Sequence, residues 1–396
     1  MENLKILVAG DFCPRFNDKR LLDENLQREI TKEISKISAS HDFSMLNVET
    51  VFTKNDTPIV KSGPNLRTDI EYLELLKKFN FNIGACANNH MGDQGDAALL
   101  ETIEHIKSLG MMTVGAGKDK ADAEKALFVE KNGIKLGIIN CAEHEFGIAE
   151  KNKPGMAGLD FYDTSKIIKD AKNKADVVLV FIHGGNEHNP LPRPGMKKIC
   201  RFFAECGADA IVVGHAHCRQ GYEIYENVPI FYGMGNFYMQ SKKQSFGWEH
   251  GYMVSLEFTK EKCIKFEIIP YFQAFDGTRF EIEKDEDKEK SLKYIDHISE
   301  IMNKEDLYEK ITLAWAVWYL RTANGWYEGE GQKFFQLTDG CSNDFSTLFI
   351  RNTFTCESHA ELMANFFKAY CEEGLDGLGE YVEMIETLQN GGHINI

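Results

Sequence analysis

DVVLVFIHGG, residues 176–185, runs through six consecutive apolar residues and stops at His183 and two glycines. An apolar run without polar alternation is the pattern of a strand buried on both faces, as in sheets covered by helices. DAIVVGHAH, residues 209–217, repeats the pattern after a helical stretch from about Pro194 to Glu205. Working back toward the N-terminus, KILVAG (Lys5 to Gly10) reads as another buried strand. A helical stretch from about Leu21 to Ile37 leads to the strand FSMLNVE, and a helix from Asp69 to Phe79 leads to FNIGACANNH. Strands alternating with amphipathic helices mark a layered α/β domain.

The helix from Asp96 to Leu109 is stopped by Gly110. In ALFVEKNGIKLGIINCA the dipeptide Asn132-Gly133 is a favoured two-residue turn, predicting a hairpin. Two further strand pairs, at about 221–233 and 251–270, predict a second sheet packed on the first. From Glu283 onward the pattern becomes helical, so the chain is expected to divide into an α/β domain at 1–281 and a helical region at 282–396. The charged stretch Glu283 to Lys290 reads as a linker or solvated helix face. Trp315, Trp318, Tyr319, Trp326 and Tyr327 form an aromatic-rich stretch expected to pack into a core.

The formal net charge of -16 argues against nonspecific nucleic-acid binding, which needs a basic surface. No apolar run reaches the length of a membrane span, and MENLKILVAGDF enters a strand directly instead of forming a secretory leader. Ten cysteines are scattered with no C-x-x-C pair, which fits reduced thiols and a cytoplasmic location.

Five polar clusters end apolar strands: Asp11, Asn47 with Glu49, Asn88 with Asn89 and His90, His183, and His215 with His217. Loops at such strand ends collect ligands in α/β sheets. Each cluster alone is as ordinary as a turn or cap. Together they hold the oxygen and imidazole inventory of a metal site, with Gly10, Gly184, Gly185 and Gly214 beside them for close backbone approach. Spaced two apart, His215 and His217 would share one face of a regular strand.

The ordered series GD, N-x-E, N-N-H with Asp93 three residues on, H-G-G, G-H-x-H and G-N-F resembles the bacterial capsule synthesis protein family associated with poly-gamma-glutamate. That family is similar to the calcineurin-like metallophosphoesterases. The resemblance covers about residues 4–245 and implies a two-sheet β-sandwich flanked by helices, followed here by the helical C-terminal region. It implies Asp11, Glu49, Asn89, His183, His215 and His217 as metal ligands, Glu49 bridging if two ions bind. His90 would stand beside the substrate as proton donor or charge stabiliser, with Asp93 orienting its ring. The phosphoesterase pattern has a histidine two residues after the first aspartate, where this chain has Cys13. A thiolate there would select a softer metal such as zinc, whereas an unligated Cys13 would leave the first position incomplete. Substrate contacts are expected from Lys61, Arg67, Asn88, Glu187, His188 and Asn236.

The implied cofactor is one or two divalent ions, with Mn, Zn, Fe and Mg all open. The expected partner is an anionic small molecule or polymer. Three activities fit: hydrolysis of a phosphate ester linked to capsule or poly-gamma-glutamate synthesis, non-hydrolytic polymer binding or assembly, and hydrolysis of a gamma-glutamyl amide.

Overall fold

A computed structural model describes residues 3–322, 345–374 and 377–396. β1 (Leu4–Cys13), β2 (Phe43–Val48), β3 (Ile83–Ala85) and β4 (Met112–Val114) run parallel to one another. After the short β5 (Ala116–Gly117) come β6 (Leu127–Lys131) and β7 (Ile134–Ala142), the predicted hairpin. Its turn is Asn132 and Gly133, at φ 56 and 72. β8 (Gly155–Met156) pairs with β5. β9 (Val177–His183) and β10 (Ala210–Gly214) are the two apolar runs. β11 (Tyr222–Tyr225), β12 (Val228–Phe231), β13 (Asn236–Met239), β14 (His250–Phe258), β15 (Cys263–Gln273) and β16 (Phe280–Ile282) complete the strands.

They form two main sheets. One has the order β16-β15-β14-β1-β2-β3-β4, with β13 also pairing with β1; the other is β11-β12-β10-β9-β7-β6. The two late strand pairs therefore do not make a second sheet together: β11 and β12 extend one sheet and β14 and β15 the other. Both arrangements have the same strand pattern along the chain, and only nonlocal pairing separates them.

Alternation along β1 shows how the layers hold. Ile6 and Val8 join a core shared with β7, β9 and β10, while Leu7 and Ala9 join a second core with the helices Glu24–Ala39 and Asp96–Ser108. The fold is thus a two-sheet α/β sandwich flanked by helices, as expected. Helices Asp285–Ile301, Glu305–Thr322, Phe345–Thr355, Glu357–Glu372 and Gly379–Gln389 make up the described C-terminal region. Ile295, Ile298, Trp315, Leu362 and Leu388 from these helices belong to the same core as β7, β9 and β10. Trp315 is buried, with the Trp318 ring 5.0 Å away, as expected for core packing; Trp326 and Tyr327 lie outside the described residues. Among the described residues no helix is long and apolar enough to cross a membrane.

One contact fixes the pairing of β13 with β1. A Cβ on Gly10 would lie 2.1 Å from the Gly235 carbonyl oxygen, so only glycine lets β13 reach β1 and pair Asn236 with Asp11.

Candidate metal centre

The polar clusters meet where the C-terminal ends of β1, β2 and β3 in one sheet face those of β9 and β10 in the other. Asp11, near the C-terminal end of β1, accepts hydrogen bonds from Asn47 Nδ2 at 2.7 Å and the His215 amide at 3.2 Å. Asn47 also places Nδ2 3.1 Å from His183 Nδ1. His183 Nε2 lies 3.0 Å from Asn89 Oδ1 and 3.1 Å from His215 Nδ1. His217 Nδ1 donates to Asn236 Oδ1 at 2.7 Å and sits 3.6 Å from Asp11 Oδ2.

His215 and His217 do not converge through the strand period. β10 ends at Gly214, and both histidines have left-handed backbones, at φ 89 and 51. That conformation costs energy for a residue with a Cβ and collects at functional sites.

Glu49 is fully buried, and neither of its oxygens has a hydrogen-bond partner. Its Oε1 lies 3.6 Å from His183 Nε2 and 3.7 Å from His217 Nε2. Two compact triads result, Glu49 with His183 and His215, and Asp11 with Glu49 and His217. Glu49 belongs to both. Burial, then the neighbouring Asp11 and Glu187 charges, push its carboxyl well above the usual range. Burial also takes Asp11 up to about 6 and His217 down to about 3. A buried carboxylate without a donor costs several kcal/mol, and a divalent cation among these donors removes that penalty. The residues present therefore fit the expected ion.

Beside the triads, His90 Nδ1 donates to Asp93 Oδ2 at 2.6 Å. Asp93 also accepts the Leu66 amide at 2.6 Å and forms a fully buried ion pair with Lys61. Lys61, expected at the substrate, is thus buried against Asp93, 3.4 Å from His90 Nδ1. Burial, then Lys61, hold His90 below its ordinary pKa, against the pull of Asp93.

Four other expectations change. Cys13 stands outside both triads: it packs with Leu66, Met239 and Trp248, and burial pushes its thiol up to about 12, far from a thiolate ligand. Asn88, expected at the substrate, spends its amide on the loop. It donates to Asn47 Oδ1 and the Val48 carbonyl and accepts from the His90 amide. Asn236 is likewise buried and orients His217. Arg67 pairs with Asp69 at 3.0 Å and with the Thr53 and Lys54 carbonyls, a loop-bracing position. Glu187 and His188 sit half exposed at the rim, the His188 ring 6.3 Å from His217.

Two residues of this neighbourhood escaped the sequence reading. Trp248, its ring centroid 5.0 Å from that of His217, lies in a segment with no strand-end signal. Arg15, in the short 3-10 turn Arg15–Asn17 and near enough for its charge to bear on Glu49, is a single cation that follows no recognisable spacing.

Residues 5–241 match the family described as "Bacterial capsule synthesis protein PGA_cap". The chain is 31% identical over 235 residues to "PGA biosynthesis protein CapA" of Bacillus subtilis (strain 168), covering 58% of this chain and 60% of that protein. It is 26% identical over 245 residues to "Capsule biosynthesis protein CapA" of Bacillus anthracis, covering 60% of each. The chain thus spans 60% of the length of these curated relatives. Among solved structures it is similar to a "novel phosphatase" from Mycoplasma pneumoniae, at 15% identity and a TM-score of 0.45, over 72% of this chain and 96% of that one. A 5'-nucleotidase precursor from Thermus thermophilus is similar at 15% identity and a TM-score of 0.41, over 68% of this chain and 54% of that one.

Proposed function

Because this chain belongs to the bacterial capsule synthesis protein family, we propose that it is a metal-dependent hydrolase of a phosphate ester or related anionic substrate, acting in capsule or poly-gamma-glutamate synthesis. The observation that carries this reading is Glu49, buried with both oxygens unpartnered and shared by two ligand triads. Asp11, Glu49 and His217 would hold one divalent ion, and Glu49, His183 and His215, with Asn89 beside His183, would hold a second. Bound there, such ions supply Lewis-acid polarisation of the ester and an activated water.

The chain's own residues do the rest. Asn47 and Asn236 keep His183 and His217 in place. Asp93 takes the His90 Nδ1 proton in a hydrogen bond, leaving Nε2 as the nitrogen that exchanges a proton with the leaving group. Lys61 balances the Asp93 charge. Residues 1–281 carry this machinery as a catalytic domain in the cytoplasm, and 282–396 form its helical appendage.

The test is metal analysis of protein purified without chelator, joined to a turnover screen of phosphomonoesters, phosphodiesters and gamma-glutamyl peptides. His183→Ala is expected to lose metal and turnover together. His90→Ala is expected to keep its metal and lose about a hundredfold in turnover. Metal-loaded protein that turns over none of the three classes would sink the hydrolase reading in favour of polymer binding.

A further inference from the structure

Arg15 is unusual for a basic residue in a chain with 61 acidic residues against 45 lysines and arginines. Among the described residues its guanidinium pairs with no carboxylate, and its Nε is buried without a hydrogen-bond partner. The Phe16 ring lies 5.2 Å from the guanidinium, whose charge reaches the buried Glu49. The backbone beside it is left-handed at Phe16 (φ 69) and Asn17 (φ 47), and Asn17 Oδ1 accepts the Asp69 amide at 2.8 Å to hold it there. A bulky aromatic residue in that conformation is strained, and the strain persists only where the surroundings impose it.

Arg15 opens on a groove of about 490 Å³ whose lining includes His188, Lys243 and Trp248. The groove adjoins the ligand cluster through the rings of Trp248 and His188, 5.0 and 6.3 Å from that of His217. Lys243 is exposed and, among the described residues, has no acidic partner. The far wall comes from the C-terminal helices at Trp318 and Gln389, and Gln389 Nε2 donates to the His188 carbonyl at 3.0 Å. The groove is the size of a small-molecule site. Of the three cations in its lining, Arg219 is taken up by the Ser291 hydroxyl and the Phe246 and Tyr294 rings, which leaves Arg15 and Lys243 beside the Trp248 indole. Arginine in particular suits carboxylate and phosphate oxygens, which accept its planar fork of donors.

We infer that this groove is the subsite for a second anionic group of the substrate, held by Arg15 and Lys243 beyond the group seated at the ligand cluster, with Trp248 flanking the body between them. The substrate class is then a polyanion and not a simple monoester. This inference rests on the hydrolase reading above, since it places the first anionic group at the Glu49 cluster.

The test is calorimetric binding of non-hydrolysable probes to the full-length, metal-loaded protein. Phenylphosphonate carries one anionic group, 4-carboxyphenylphosphonate adds a carboxylate, and 1,4-phenylenediphosphonate adds a phosphonate. The wild-type protein is expected to bind at least one of the two doubly charged probes about tenfold or more tighter than phenylphosphonate. Whichever gains more identifies the second group. Arg15→Gln is expected to bring that preference to within about twofold while leaving metal content and phenylphosphonate affinity unchanged. Lys243→Gln, at an exposed position where folding is not at risk, is expected to remove about threefold. Equal affinities for all three probes, or a preference that survives Arg15→Gln, would overturn the subsite alone. Failure of phenylphosphonate itself to bind the metal-loaded protein would instead remove the hydrolase reading, and the subsite with it.

Discussion

Two glutamates at strand ends in the two facing sheets, Glu49 after β2 and Glu143 after β7, are both buried and meet opposite surroundings. Glu143 accepts from Arg193 Nε at 3.0 Å and again from Nη2, with the Cys356 thiol 3.7 Å from its other oxygen. Arg193 continues to Glu361, which also accepts the Gly195 amide at 2.8 Å. Burial alone would raise the Glu143 carboxyl, but Arg193 outweighs it and holds it below its ordinary pKa. Glu49 has no such donor and its carboxyl moves the other way. One glutamate is satisfied by the protein, fastening the Glu357–Glu372 helix to the strand ends. The other is left open for a ligand. The packing of Gly184 against Glu143, where an added Cβ would come within 2.6 Å, puts the satisfied network directly behind the His183 loop.

The sharpest way to break this contrast is Glu143→Gln. It removes one partner of a buried ion pair and is expected to cost about 3–5 kcal/mol in chemical denaturation. If Glu143 proved as replaceable as a surface residue, the fastening role would fail. Next in size is removal of the cation. Chelation should lower wild-type stability by about 3 kcal/mol when measured against a free ion concentration a hundred times Kd, and should leave Glu49→Gln unmoved. Third, in the metal-free state Glu49→Gln should be more stable than wild type by about 1–2 kcal/mol, because an amide replaces a carboxylate that has no donor. Thermal melts in chelator read that sign directly, and a loss of stability would mean that Glu49 is already satisfied.

The smallest effect belongs to His144, which donates from Nδ1 to Glu357 at 2.6 Å next to the Glu143 network. The Glu357 hydrogen bond raises the His144 pKa above 6.5. Its stabilising contribution is therefore complete below pH 6.5 and is lost as pH rises through the raised value. His144 is partly exposed, so solvent screening keeps the contribution under about 1 kcal/mol. His144→Gln should flatten the stability profile across that window, and an unchanged profile would assign the slope to another group.

The strand ends were legible because an apolar run that stops at a polar residue is a local pattern, as in VVLVFIH and KILVAGD. The fold class and the six expected ligands rest on such patterns and on the family resemblance. Sheet membership was not legible, since β14 and β11 carry similar alternation and differ only in which distant strand they pair with. Nor was the turn at His215 and His217 visible, because a left-handed histidine has no residue signature as glycine does. Arg193 and Glu361 are 168 residues apart, and their pairing has no trace in either local segment. Cys13 misled because its position in the family pattern concerns the chain and its packing concerns the fold: Met239, which covers it, comes from β13.

The central claim is that Glu49 marks a cation site, and its direct test is the metal content of matched preparations of wild type and Glu49→Gln, purified without chelator and measured by plasma mass spectrometry. One or two divalent ions per wild-type chain, and their loss in a folded Glu49→Gln, are the expected result. A wild-type protein that takes up no divalent ion, or a Glu49→Gln variant that retains the full complement, would contradict the account.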